Sequence, residues 1–260
     1  MSDGSTTLRG TPNPEAPNPQ LPIVQRLRIR YAKRGRLRFT SHRDFGRAFE
    51  RAVRRAQVPI AFSSGYTPHP KISYAGAAPT GAASEAEFLE IGLTQERDPE
   101  SVRVALDDAL PPGIDVLEVV PAREGGGSLA DRLEASEWVI ELRGTAPERV
   151  REAADAFLAA EQVDVERMTK RGLRTFDARA AVQSLSVGSS DTSGVAYAIL
   201  AVVVRHQNPS VRPDDVLTGL RNRGGLELEQ TPLATRSAQG PLDVGTGTVG
   251  DPLALDRDAS

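Results

Sequence analysis

The chain has 260 residues, 39% of them hydrophobic and 26% charged, a net charge of −3 and no cysteine. That length allows one large domain or two small ones. The lack of cysteine excludes disulfides, thiolate nucleophiles and cysteine-held zinc or iron–sulfur sites, and no run nears the ~18 apolar residues of a membrane helix.

Residues 1–22 are rich in Pro, Asn, Gly and Thr without periodicity, and disorder is expected there. They lack the apolar core of a secretory signal, which points to a cytoplasmic protein. A first module is expected over residues 23–122. Leu27, Ile29 and Tyr31 alternate with Arg28 and Arg30, as in a half-buried strand. Lys33-Arg34-Gly35-Arg36 reads as a turn, and Leu37 and Phe39 continue the alternation. Thr40 or Ser41 caps a helix whose apolar positions are Phe45, Ala48, Phe49, Ala52 and Val53. Strands follow at Ile72–Ala75 and Glu87–Leu93. Asp98-Pro99 opens a second helix that Pro111-Pro112-Gly113 stops, and Ile114–Val120 is a last strand. The order is βαββαβ, the ferredoxin-like split motif.

Residues 123–135, with Gly125-Gly126-Gly127, read as a linker. A second ferredoxin-like module is expected over 136–236. It has a strand at Glu137–Arg143, a helix at Pro147–Ala160 and a hairpin around Lys170-Arg171-Gly172. Further strands are expected at Ala180–Val187 and Val195–Val204, then a helix at Arg212–Asn222 and a closing strand at Leu226–Thr231. Residues 237–260 read as a second disordered tail. The fold class expected is therefore α+β, two ferredoxin-like modules with disordered ends.

Charge is concentrated in one place. Between Arg26 and Tyr74 stand thirteen Lys and Arg against two acids, a local +11 in a chain of −3. Strand residues Arg28, Arg30, Arg36 and Arg38 beside helix residues Arg47, Arg51, Arg54 and Arg55 would form one phosphate-binding groove. Tyr31, Phe39, Tyr66 and Tyr74 would supply stacking surfaces for single-stranded RNA. An ordinary solvated basic helix is the competing reading. In the loop Gly65-Tyr66-Thr67-Pro68-His69-Pro70-Lys71, two prolines stiffen the backbone around a histidine, which suits either binding or a merely packed loop. The RNA-binding candidates are Arg36, Arg38, Arg47, Arg51, Tyr66, His69 and Lys71.

His42, His69 and Lys71 are the candidates for chemistry. His42, at the start of the first helix, stands where a general base for a 2′-hydroxyl could act; the alternative is plain helix capping. A metal site from His42, His69 and Glu85, Glu87 or Glu90 has no spacing that demands it, and neither metal nor cofactor is expected. The GxxxxGK[ST] phosphate loop and the nucleophile-elbow and zincin motifs do not occur. Thr169-Lys170-Arg171-Gly172 with Phe176-Asp177-Ala178-Arg179 would extend the groove or form a β-turn with surface charges. His206 reads as structural.

The segment from Leu37 to Leu93 resembles a bacterial family of unknown function called radical-SAM-linked proteins, and the resemblance covers about residues 26–230. Its marks here are Phe39, Ser41-His42, the Arg-rich helix, Gly65-Tyr66, Pro68-His69-Pro70, Gly81 and Ser84-Glu85. Lys170, Gly172 and Asp177 also fit, while Ala178 replaces a usual β-branched residue. The resemblance implies a radical-SAM partner acting in trans and a setting in RNA processing. With no cysteine, the chain would bind that enzyme or its substrate rather than hold its cluster. The leading expectation is thus an accessory protein binding tRNA or rRNA. A metal-independent endoribonuclease, with His42 as base and Lys71 or Tyr66 assisting, is one alternative. A protein docking module for an acidic partner is another.

Overall fold

β1 (Gln25–Lys33) buries Leu27, Ile29 and Tyr31 completely or nearly so. The computed structural model in which it lies describes residues 21–169, 172–192 and 195–258; residues 1–20, expected to be disordered, and the Lys170-Arg171 turn fall outside these. The strand does not continue through Phe39. Gly35, at φ +54°, turns the chain into a short 3-10 helix, Gly35–Phe39. Arg34, held to Glu85 and Asp115, anchors that turn.

α1 (His42–Arg55) starts at Ser41, whose hydroxyl accepts from the Asp44 amide at 3.2 Å and donates to the Asp44 carboxylate at 2.7 Å. Phe45, Phe49, Ala52 and Val53 form its buried stripe, each large side chain contributing about 1.5–3 kcal/mol by leaving water. β2 (Ile72–Ala75) and β3 (Ala83–Leu93) follow. α2 (Pro99–Ala109) is capped by Asp98 as expected, and β4 (Ile114–Pro121) closes the module. The sheet runs β4-β1-β3-β2, antiparallel throughout, which is the arrangement of a split βαβ unit.

The second module repeats this plan with an insertion. Its elements are β5 (Ala135–Leu142), α3 (Pro147–Leu158), the hairpin β6 (Asp164–Thr169) and β7 (Gly172–Asp177), β8 (Val182–Thr192), β9 (Val195–Arg205), α4 (Pro213–Gly224) and β10 (Leu233–Gly240). The main sheet here runs β10-β5-β9-β8, again antiparallel, while β6 and β7 pair only with each other. β10 pairs in parallel with β3 through Thr235–Ala83 and Arg236–Ser84. Eight strands therefore form one continuous sheet. No helix among the described residues is long and apolar enough to cross a membrane.

Three expectations about the later chain need correction. The closing strand lies at Leu233–Gly240, not Leu226–Thr231. The expected linker contains the buried residues Leu129 and Leu133 and a 3-10 turn at Ala130–Arg132. The expected tail from residue 237 continues β10, forms the two-residue strands β11 (Leu242–Asp243) and β12 (Thr248–Val249), and ends in α5 (Ala254–Arg257). The reason is a buried ion cluster on the back of the first half-sheet. Asp256, fully buried, accepts both Arg28 Nη1 bonds at 3.0 and 2.9 Å, Arg132 Nη1 at 2.7 Å and the Arg123 amide at 3.0 Å. Arg28 also donates to Glu90 at 3.0 Å and to the Gly127 carbonyl at 2.7 Å.

Removing one partner from such a buried cluster costs about 3–5 kcal/mol. Asp256→Ala should lower the urea midpoint strongly at unchanged slope; an unchanged midpoint would show that this segment is not structural. Burial pushes the Asp256 carboxyl up, but the Arg123 amide and the Arg132 and Arg28 guanidinia outweigh it and hold it below the usual range. Its stabilisation is complete above the unfolded carboxylate value of about 3.9 and is lost as pH falls through the lower folded value. Asp256→Asn should accordingly flatten the acid limb of the stability–pH curve.

Candidate nucleic-acid interface

The structure divides the basic segment between two sides of the sheet. Leu27, Ile29 and Tyr31 pack toward α1, so Arg28 and Arg30 point the other way. Arg28 is consumed by Asp256 and Glu90, and Arg30 donates to the Glu85 carbonyl at 2.9 Å. They cannot share a groove with the helix, contrary to the sequence expectation. Lys33 is buried, and Arg34 is paired twice. Burial pulls the Lys33 amine down, Glu87 opposing and Arg236 adding to the fall.

The helix side keeps its charge. Arg43, Arg47, Arg51, Arg54 and Arg55 are all exposed on α1. At 100° per residue they occupy one third of the helix, opposite Phe45 and Phe49. Arg54 reaches Glu50 at 3.7 Å. Arg43, Arg47, Arg51 and Arg55 make no side-chain hydrogen bond or ion pair among the described residues, although they stand at successive i, i+4 positions. Like charges at that spacing repel by a few tenths of a kcal/mol per pair. Near the start of α1, Arg36 is exposed, and Arg38 lies 4.5 Å over the ring of Phe39, itself 59% exposed.

Tyr31 is not a stacking surface: it is buried and lies flat on Phe45 at 4.5 Å. Tyr74 is half-buried, its ring edge-on to His42 at 4.9 Å. Its hydroxyl is buried without a partner, and burial, with Glu50 adding, pushes its pKa up to about 12. Tyr66 is 82% exposed at the tip of a hairpin-like loop. That loop is tied at its base by the Phe62–Pro70 bridge, the Ser63 amide to the His69 carbonyl at 2.8 Å and the His69 amide to Ser63 Oγ at 2.9 Å. Lys71 is held through its backbone to Ala61 and Gly92.

Among the described residues no ring contact joins His42 to His69; His42 rests edge-on against Tyr74, and His69 is tied to Ser63 through its backbone. The carboxylates considered as metal ligands are engaged elsewhere: Glu85 by Arg34, Glu87 by Arg236, and Glu90 by Arg26 and Arg28. In the second module, Asp177 accepts the Val163 and Arg179 amides, and Arg179 donates to the Leu158 and Val182 carbonyls. Those side chains hold local backbone rather than extend a groove.

Sequence reasoning missed the buried cluster at the seam of the two half-sheets. Arg236 pairs with Glu87 and donates to Gln239 Oε1 at 2.8 Å and Ser84 Oγ at 3.3 Å. Glu87 in turn accepts the Ala78 amide at 3.2 Å, and Gln239 donates to the Ala86 carbonyl at 3.2 Å. The available signal was an Arg and a Gln three residues apart in a short strand, each too polar for a buried position without a partner.

The unpartnered Tyr74 hydroxyl generates a prediction. A buried hydroxyl without a hydrogen bond costs about 1–3 kcal/mol. Tyr74→Phe should leave the melting temperature equal or higher; a fall of several degrees would mean that the hydroxyl is satisfied in solution.

Residues 26–213 match the model of a protein family described as "Uncharacterized protein conserved in bacteria (DUF2344)". No curated protein matches the chain. Among solved structures, a chain from the "Crystal Structure of a Cbf5-Nop10-Gar1 Complex" aligns with a TM-score of 0.42 and 10% identity, over 84% of this chain and 50% of that one. The present chain thus spans about half the length of that chain.

Proposed function

The chain belongs to this family of uncharacterized bacterial proteins, and from that premise we propose that it is an accessory protein that binds structured RNA, tRNA or rRNA, through the arginine face of α1. The observation that carries the reading is how the protein distributes its cations. Arg26, Arg28, Lys33 and Arg34 are paired or buried, whereas Arg36, Arg43, Arg47, Arg51 and Arg55 stand exposed and unpaired among the described residues. A ladder of mutually repelling guanidinia is relieved by a polyanion, and each phosphate contact releases condensed counterions.

Arg36 and Arg38 extend the surface at one end of the helix, with Phe39 as an exposed stacking ring. At the other end, Tyr66 and His69 would meet a nucleotide and Lys71 a phosphate. The link to a radical-SAM enzyme acting in trans rests on the resemblance of Ser41-His42, Pro68-His69-Pro70 and their neighbours to radical-SAM-linked proteins. The present chain has no cysteine with which to hold such a cluster, so the radical chemistry would belong to the partner. The proposed setting is the cytoplasm.

Arg47→Glu combined with Arg51→Glu should weaken binding of bulk tRNA by at least about tenfold at low salt. It should also reduce the slope of log K against log salt by roughly one per lost contact. Filter binding across a salt series measures both. Binding within twofold of the parent would end the proposal. Capture of an acidic protein that survives nuclease, without RNA binding, would replace it with a docking role.

A further inference from the structure

On the helix side of the sheet, between the two modules, lies a cleft of about 340 Å³ lined by residues including Ala77, Pro79, Trp138, Val204, His206 and Arg212. We propose that it binds a single nucleotide unit: a planar heterocycle beside His206 at the mouth, with its phosphate on Arg212. The site is separate from the arginine face of α1 and does not rest on that face binding RNA.

The floor of the cleft is electrically balanced. Arg236, 3% exposed, is matched by Glu87, and its guanidinium lies 5.6 Å from the Trp138 ring. Gln239 and Ser136 are buried and bonded. At the rim, Arg212 is exposed and interacts electrostatically with Asp215, whose carboxylate is paired with Arg167. An anion entering the cleft meets Arg212 at the mouth, while the rest of the ligand faces part-exposed Pro79 and the largely buried Val204, Val211 and Trp138.

The histidine defines what kind of body fits there. His206 accepts no freedom at its nitrogens: Nδ1 lies 2.7 Å from the Leu133 carbonyl and Nε2 lies 2.6 Å from Ser136 Oγ. A carbonyl can only accept, so Nδ1 carries the proton and Ser136 donates to Nε2. Burial and Arg236 push the ring toward the neutral form, the Leu133 carbonyl opposing. Both nitrogens are engaged, and the residue is exposed and borders the cleft. A ring at the mouth, an apolar wall and one rim guanidinium suit a base linked to a phosphate.

Gly76, at φ +57°, lines the cleft and approaches Gln239 so closely that a Cβ would stand 2.4 Å from Oε1. A side chain there would displace Gln239 from its bond to Arg236 or shift the loop.

Trp138 is the sole tryptophan of the chain; it lines this cleft and also packs into the core of the second module, so the Arg212 variants assign a change in its emission to the cleft. The full chain is titrated with the four nucleoside 5′-monophosphates, with inorganic phosphate and with a single-stranded RNA oligomer. Saturable change of Trp138 emission by a monophosphate identifies a free nucleotide as ligand. Change with RNA only identifies a nucleotide within a chain. In either case Arg212→Ala should weaken the response at least about tenfold, as expected for loss of a charged hydrogen bond, and Arg212→Lys should restore part of it. Ala77→Leu, at an exposed lining position, should block binding while leaving the melting temperature close to the parent. No change with any probe, a response to inorganic phosphate equal to that with nucleotides, or a response indifferent to Arg212→Ala overturns the proposal. Arg47→Glu with Arg51→Glu, which tests the α1 face, should leave monophosphate binding unchanged, so failure of either site is separately visible.

Discussion

The backbone ladder that joins the two half-sheets is only two residue pairs long, Thr235 with Ala83 and Arg236 with Ser84. Two pairs of a parallel ladder are too few to hold two modules in one orientation, so the side chains around Arg236 must complete the joint. Its guanidinium takes Glu87 and Ser84 from one module and Gln239 from its own strand, beside Trp138. An isolated charge at that depth would be prohibitive, and a partly satisfied one would be worse than an apolar contact. Glu87 also accepts the Ala78 amide, and the same loop reaches the Arg38 carbonyl through the Gly81 amide at 2.8 Å. The seam, the cleft above it and the 3-10 turn before α1 are thereby parts of one connected framework.

This framework explains where the net charge goes. On the back of the first half-sheet, cations are matched by Asp256 and Glu90 in a buried cluster. On the helix side, α1 presents five arginines with one weakly paired. A whole-chain charge of −3 conceals both facts. The buried pairs fix geometry at a large desolvation cost. The exposed ones remain available to solvent and to polyanions, and the two populations come from adjacent residues of one strand–turn–helix segment.

Local signals in the sequence carried much of this. Ser41, one of the two residues expected to cap α1, and Asp98 cap their helices, and the apolar spacing of Phe45, Phe49, Ala52 and Val53 is the buried stripe of α1. The misreadings have a common physical origin in partners that are distant along the chain. Leu37 and Phe39 satisfy an alternating pattern, but Gly35 adopts a positive φ and Arg34 is held by Glu85 and Asp115, so the strand ends early. β10 looks too polar for an interior strand because its inward residues, Arg236 and Gln239, are satisfied from β3. Arg28 looks like a surface cation because its carboxylate lies at Asp256, in a segment of low apolar content. The cleft was illegible for the same reason: Trp138, His206, Arg212 and Arg236 belong to separate strands and a loop.

The Arg28–Asp256 contact spans 228 positions of sequence, and that separation bears on biosynthesis. At about 5–20 residues per second, the first strand leaves the ribosome well before its carboxylate partner exists. Until then Arg28 has Glu90 and the Gly127 carbonyl but not Asp256, and Ala86, Phe88 and Val120 on the same side lack the Leu253 that packs with them. The helix-facing half of the first module can assemble early from contacts within its own hundred residues. Its reverse side is completed only by residues translated last, Leu253 and Asp256, so the two faces of one half-sheet draw their partners from opposite ends of the sequence.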